Sequence, residues 1–161
     1  MLQTCLVSVG LLCWAGLCAI RDARHRTIPN HLTLGLAAIA GIWLLTTGAS
    51  LTSAPPITVT LAVAAALLVS APGYVVGQMG AGDVKMLLAL GLATDPGHVL
   101  ISVAGAAVTL LLWTVVGRRL WSWLPEALRR QVPQLAPGHS ASLPYAPFLL
   151  PGVAAALLIL G

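Results

Sequence analysis

Six long apolar runs, separated by short polar segments, organise the chain. The runs are apolar on every side of a helix and lack the alternation of apolar and polar residues that marks a half-buried strand. A helix needs about 20 such residues to cross the hydrocarbon core of a bilayer. The pattern therefore predicts an all-α polytopic membrane protein, a bundle of about six transmembrane helices, over residues 2–20, 31–48, 57–78, 84–94, 99–117 and 148–161.

The composition supports this prediction and excludes the soluble classes. Hydrophobic residues make up 58% of the 161 residues and charged residues only 7%, against about 25% in soluble domains. A soluble globule of this size needs more polar residues to cover its surface, and a disordered chain needs a lower hydrophobicity. We expect one transmembrane domain over residues 1–161.

The basic residues indicate the topology. All eight lie in or directly beside three connections, those after the first, third and fifth runs: Arg21, Arg24, Arg26, Lys85, Arg118, Arg119, Arg129 and Arg130. Because positive charge marks the cytoplasmic side, these connections are predicted to be inside and both termini outside. The net charge of +4 is then explained by the orientation of the chain in the membrane, where basic residues contact lipid. No motif indicates a nucleic-acid partner. The long connection with Trp121 and Trp123 fits an interfacial segment, or else a surface for substrate docking.

Two of the four acidic residues fall at the predicted cytoplasmic surface. Asp22 follows the first run directly and Asp83 begins the short fourth run, whereas Asp95 and Glu126 fit a turn and a helix start. Asp22 could pair with a neighbouring arginine, and Asp83 could cap a helix. Acids beside lipid are nevertheless costly and tend to be functional. If the two carboxyl groups meet, they can share a proton and direct a water molecule at an amide bond, as in aspartic proteases.

Three motifs resemble those of a known family. Asp22 is followed by Ile28-Pro29-Asn30, Gly80-Ala-Gly82-Asp83-Val-Lys85 fits a GxGDxK pattern, and Pro144-Tyr-Ala-Pro-Phe-Leu149 comes late in the chain. In this order they resemble the type IV prepilin peptidases. The resemblance implies a membrane aspartic endopeptidase with Asp22 and Asp83 as catalytic pair, supported by the motif residues Gly80, Gly82, Lys85, Pro29 and Asn30.

The resemblance also implies a substrate and a location. The substrates would be prepilins or pseudopilins, cut at the cytoplasmic boundary of a bacterial or archaeal inner membrane. Because the sequence shows no cluster of metal ligands, we expect a reaction without metal or cofactor. Larger members carry two CxxC pairs in an N-terminal methyltransferase region. This chain has no CxxC pair and begins with the first run, so we expect the short, peptidase-only form, similar to those of Tad/Flp pilus systems. The pattern leaves the oligomeric state open.

Other interpretations remain open at this level. Presenilin-like proteases share GxGD, but Asp22 follows Arg21 rather than tyrosine and no Pro-Ala-Leu occurs. A small transporter or a pilus-assembly scaffold is the alternative outside the enzymes. Lys85 would anchor the topology, hold substrate or tune the acids, and Pro29 would precede a second helix capped by Asn30. The four histidines, His25, His31, His98 and His139, show no metal-ligand spacing.

Overall fold

The computed structural model describes residues 2–136 and 143–161, and the regular structure in those residues is entirely helical. This confirms the all-α prediction; His139 lies outside the described residues. The helices in chain order are α1 (Leu2–His25), α2 (Asn30–Thr47), α3 (Pro56–Val75), α4 (Ala81–Ala93), α5 (Pro96–Trp123), α6 (Glu126–Gln131) and α7 (Ala146–Leu160), with a 3₁₀ turn at Pro133–Leu135 after α6.

Six of these helices correspond to the six apolar runs. Four of them, α1, α2, α3 and α5, are long and apolar enough to cross a membrane, and the chain is a polytopic membrane protein. The 13 residues of α4 and the 15 of α7 span about 20 and 22 Å at 1.5 Å per residue, less than the ~30 Å core. A full crossing by α4 and by α7 therefore stays a prediction.

Two helices continue past their predicted ends. The run over residues 2–20 stops at Ile20, but α1 continues to His25, because arginine and alanine favour helix as strongly as apolar residues do. Asp22 therefore lies in the last turn of a helix rather than after it. The helix ends where Arg26 adopts a left-handed φ of 52°. In the same way α5 runs on to Trp123, which places Trp121 and Trp123 on a helix and not in a connection.

The helices pack in an order that the sequence does not give. α1 packs against α7, α7 against α5, and α4 lies between α2 and α3. Helices α5 and α7 approach each other closely at two glycines, since a Cβ added at Gly105 would lie 2.5 Å from Cα of Gly152. Small residues allow such contacts between helices in lipid, where the hydrophobic effect does not drive association. The last helix thus lies against the first, beside Asp22.

Candidate active site

Asp22 and Asp83 line the same cleft. The cleft has a volume of about 220 Å³ and opens at the end of α1 and the start of α4. Its walls are the linker between α1 and α2 and the first turn of α4: Asp22, Arg26, Thr27, Ile28, Gly80, Ala81, Gly82 and Asp83. The structure therefore brings together the two acids whose proximity the sequence left open.

Asp22 is held in place by the last helix of the chain. Its side chain is buried, with the residue 5% exposed, and Oδ2 accepts a hydrogen bond of 3.0 Å from the amide of Ala146. The amide of Tyr145 also faces this carboxyl group. The first amides of a helix have no partner within it, so the start of α7 supplies donors that favour the ionised carboxylate. Arg26 also lines the cleft and its charge acts on Asp22, so pairing with this arginine stays one explanation of the acid.

Asp83 occupies the third position of α4 and takes part in its capping. Its Oδ2 accepts a hydrogen bond of 3.1 Å from the amide of Gly80, which is one half of a capping box. The helix cap is Gly80, not Asp83. Glycine has no side chain to return the bond, so the other half of the box is absent. Capping therefore accounts for one oxygen of Asp83, and the carboxyl group still faces the cleft.

Gly82 allows the linker to lie directly on α4. A Cβ at this position would come within 3.3 Å of Cβ of Ile28, which is closer than side-chain carbons normally approach. Ile28 is buried and belongs to the linker that continues from α1. The contact therefore places the end of α1, with Asp22, above the first turn of α4, with Asp83.

Lys85 and Asn30 join the two sequence motifs outside the cleft. The Nζ of Lys85 donates a hydrogen bond of 3.0 Å to Oδ1 of Asn30. The prediction that Asn30 caps α2 is wrong, because Pro29 occupies the cap position with an extended backbone and the helix begins at Asn30. Pro29 does precede the second helix as predicted. Neither Lys85 nor Asn30 lines the cleft, and their bond instead ties the start of α2 to the first turns of α4.

Tyr145 is a residue of this site that sequence reasoning did not single out. It occupies the cap position of α7. Burial, followed by the nearby charge of Asp83, raises the pKa of its hydroxyl from 10.0 to about 12. The hydroxyl therefore keeps its proton at neutral pH and can donate a hydrogen bond. The signal in the sequence was its place in the Pro-Tyr-Ala-Pro stretch.

The two carboxyl groups interact electrostatically. Burial, and after it the charge of Asp22, disfavours the charged form of Asp83, as expected for acids that face one cleft. Such a pair carries one proton between its members over a range of pH and titrates as a unit. One member can then act as a base while the other acts as an acid.

Clusters of acidic side chains also commonly bind metal ions. Within residues 2–136 and 143–161, no group of three histidine, cysteine or acidic side chains is placed to hold a metal ion. The prediction of a reaction without metal or cofactor stays a prediction.

A comparison with protein families finds one match over most of the described helices. Residues 9–115 match the family model of the type IV leader peptidases. The match includes both acids of the cleft and the Gly80–Lys85 motif, and it ends within α5, before Tyr145. The chain matches no curated protein and no solved structure.

Proposed function

Because this chain belongs to the type IV leader peptidase family, we propose that it is a membrane aspartic endopeptidase whose catalytic pair is Asp22 and Asp83. Its substrates are prepilins or pseudopilins, from which it removes the leader peptide. The observation that supports the proposal is the shared cleft. It is lined by two carboxyl groups from separate helices, and Arg26 is the other ionisable residue in its wall.

The proposed reaction follows from a pair that shares one proton. The ionised carboxylate takes a proton from a water molecule, and the water oxygen attacks the carbonyl carbon of the amide. The protonated carboxyl group donates a hydrogen bond to the carbonyl oxygen and stabilises the charge that develops there. Breakdown of the tetrahedral intermediate cleaves the C–N bond, and a proton from the pair passes to the leaving nitrogen.

The surroundings of the two acids are compatible with one acting as a base and the other as an acid. The amide of Ala146 fixes one oxygen of Asp22, and the amide of Gly80 fixes one oxygen of Asp83. Each carboxyl group is therefore oriented by at least one backbone amide, and Asp22 also faces the amide of Tyr145. Catalytic groups held in advance lose little entropy when the substrate arrives. The hydroxyl of Tyr145, on which the charge of Asp83 acts, stays protonated at neutral pH.

The position of the cleft also determines which bond it can reach. The cleft lies where α1 ends and α4 begins, and the arginines beside it mark this side as cytoplasmic. The scissile bond is then the junction between a cytoplasmic leader and a hydrophobic segment in the membrane. Depth in the bilayer, more than a long sequence motif, would select the bond.

The proposal is tested with the purified protein in detergent or nanodiscs and an intact prepilin-type substrate. Mass spectrometry should find one cut, at the junction of leader and hydrophobic segment. Asp83→Asn should abolish the cut, whereas Glu126→Gln, which alters an exposed acid of α6 outside the cleft, should not. A cut deep within the hydrophobic segment, or full activity of Asp83→Asn, would refute the proposal.

A further inference from the structure

Arg26 ends α1 in a backbone conformation that arginine rarely adopts. Its φ of 52° lies in the left-handed region, which glycine usually occupies at the end of a helix because it has no Cβ. The amide of Arg26 donates a hydrogen bond of 2.8 Å to the carbonyl of Asp22, so this residue closes the turn that carries the acid. Backbone strain at a residue with a side chain is concentrated at functional sites, which directs attention to what the side chain does.

The charge of Arg26 acts on both acids of the cleft. Arg26 lines the cleft together with Asp22 and Asp83, and it interacts electrostatically with each carboxyl group. Burial, followed by the charge of Asp22, raises the pKa of Asp83, whereas the amide of Gly80 and the charge of Arg26 lower it. Among the residues that the structure describes along this wall, Arg26 alone carries a positive charge.

The other titratable groups around the pair add no charge to the cleft at neutral pH. Tyr145, from α7, keeps its proton. Cys18, one turn before Asp22 on α1, is buried, and a buried thiol stays protonated. Lys85 does not line the cleft, and its ammonium group is bonded to Asn30. The charge of the cleft therefore depends on the two carboxyl groups and on Arg26.

We infer that Arg26 is a positioning residue of the reaction, whose charge keeps the two carboxyl groups in the state that shares one proton. This inference rests on the proposed function. With one proton the pair carries one negative charge, and the cleft with Arg26 is neutral. A second proton, or the loss of the first, would leave an uncompensated charge in a partly buried cleft, which is costly.

Without Arg26 the same rule would favour a different state. The cleft would then be neutral with both carboxyl groups protonated, and it would contain no base to activate water. A structural ion pair between Arg26 and Asp22 alone is the simpler alternative. Loss of a structural pair would lower cleavage equally at every pH, whereas loss of a residue that sets the charge of the pair would lower it mainly in acid.

Four variants separate the charge of Arg26 from its backbone. Arg26→Gln removes the charge, and Arg26→Lys keeps it. Arg26→Gly removes the charge together with the strain, because glycine adopts a left-handed φ freely, so a folded variant without the charge is available. Arg24→Gln is the matched control, since Arg24 also lies in the last turn of α1 but donates its hydrogen bond of 3.2 Å to Gln131, outside the cleft.

The first experiment measures kcat/KM for an intact prepilin-type substrate between about pH 5 and 9. A nearby cation lowers the pKa of a carboxyl group, so its removal raises the pH at which the base forms. We expect the acidic limb of the profile to move up by about one pH unit in Arg26→Gln and Arg26→Gly, with cleavage at the acidic end reduced about tenfold and cleavage at the alkaline end largely kept. Arg26→Lys and Arg24→Gln should keep the wild-type profile. A loss of equal size at every pH, or an unchanged profile in Arg26→Gln, would overturn the inference.

A second experiment separates this inference from the proposed function. The chain has three aspartates, Asp22, Asp83 and Asp95, so isotope labelling of the aspartate carboxyl carbons allows NMR to follow each titration, with Asp→Asn variants for assignment. In Arg26→Gln the signal of Asp83 should titrate at a higher pH than in the wild type, and that of Asp95 should not move. This shift in a protein that cuts no prepilin would refute the proposed function and leave the effect of Arg26 on the pair standing. Normal cleavage without the shift would overturn the inference alone, and failure of both measurements would refute both.

Discussion

The amide of Ala146 donates a hydrogen bond to Oδ2 of Asp22 across 124 positions of the sequence. The bond joins the last helix of the chain to the first. It explains how a carboxyl group that is 5% exposed is stabilised, because a buried carboxylate needs donors in place of water. The same bond sets the orientation of Asp22 toward the cleft that it shares with Asp83.

Two substitutions at Asp22 should separate its chemistry from its hydrogen bond. Asp22→Asn keeps an oxygen that can accept from Ala146, so we expect near-normal thermal stability with cleavage reduced at least about a thousandfold, as for members of a catalytic unit. Asp22→Ala should also lose about 1–3 kcal/mol of stability, because the amide of Ala146 is left buried without a partner. Unfolding and cleavage are measured on the same samples.

The control for these variants is Asp95→Asn. Asp95 caps α5 and pairs with His98, far from the cleft residues, so its loss should leave kcat intact even if stability falls. Strong activity in Asp22→Asn would contradict the assignment of the catalytic pair.

Tyr145 should make the stability of the protein sensitive to alkali. Its pKa of about 12 in the folded protein lies above the ordinary 10.0, so the folded state holds this proton more tightly than the unfolded state does. The resulting stability is complete below pH 10 and is lost as the pH rises toward 12. We expect the wild type to lose more stability over this interval than Tyr145→Phe does. Tyr74→Phe, at an exposed tyrosine of α3, should behave like the wild type, and a fall of equal size in all three proteins would contradict the prediction.

The contact between α5 and α7 should tolerate no added carbon atom. A Cβ at Gly152 would collide with the carbonyl of Ser102, and neither backbone can yield without moving a helix. We expect Gly152→Ala to destabilise the protein by about 1–3 kcal/mol, the usual cost of overpacking. Gly35→Ala, where a Cβ meets no atom within 4 Å, is the control. Thermal unfolding in detergent that ranks the two variants equally would show that α5 and α7 do not pack as described.

The bond between Lys85 and Asn30 should be detectable as an energetic coupling. Lys85→Met and Asn30→Ala each remove the bond of 3.0 Å, so the double variant should be more stable than the sum of the single effects predicts. We expect a coupling of about 0.5–1 kcal/mol, since the pair is exposed. Additive effects on stability would mean that the bond contributes nothing. Loss of all cleavage activity in Lys85→Met would mean that Lys85 also acts in the reaction and does not only join α2 to α4.

Reporter fusions should test the membrane topology. Because the basic residues lie in or beside the connections that follow α1, α3 and α5, fusions at Thr52 and Gly97 should report outside and a fusion at His25 should report inside. Gly97 is the decisive position, since it follows the short helix α4. A cytoplasmic report there would mean that α4 does not cross the membrane.

Much of the fold is predictable because lipid imposes a simple pattern. Long apolar runs indicate the helices, and the positions of arginine predict the sidedness. The helix ends are not set by apolar residues alone, so Asp22 was expected after a helix and instead lies within its last turn. Asn30 was expected to cap α2, but Pro29 occupies the cap position, and Oδ1 of the Asn30 side chain accepts a hydrogen bond from Nζ of Lys85.

The acids Asp22 and Asp83 and the glycines Gly80 and Gly82 of the cleft are predictable from their motifs, but the contacts that hold Asp22 are not. Their motif and their scarcity pointed to Asp22 and Asp83, whereas the local pattern around Asp22 says nothing about a partner 124 positions away. The same holds for Tyr145, which lies near Asp83 only because α7 packs on α1. Contacts of this range depend on how the helices associate, and small residues permit many such associations.

The amide that donates to Asp22 is also synthesised much later than Asp22 itself. Asp22 leaves the ribosome early and Ala146 follows 124 residues later, which at 5–20 residues per second is a delay of roughly 6 to 25 seconds. A nascent chain that already carries both aspartates still lacks the helix that orients one of them. Proteolytic competence would then arise only when the last helix has been inserted, so that an unfinished enzyme does not cut the proteins being inserted beside it.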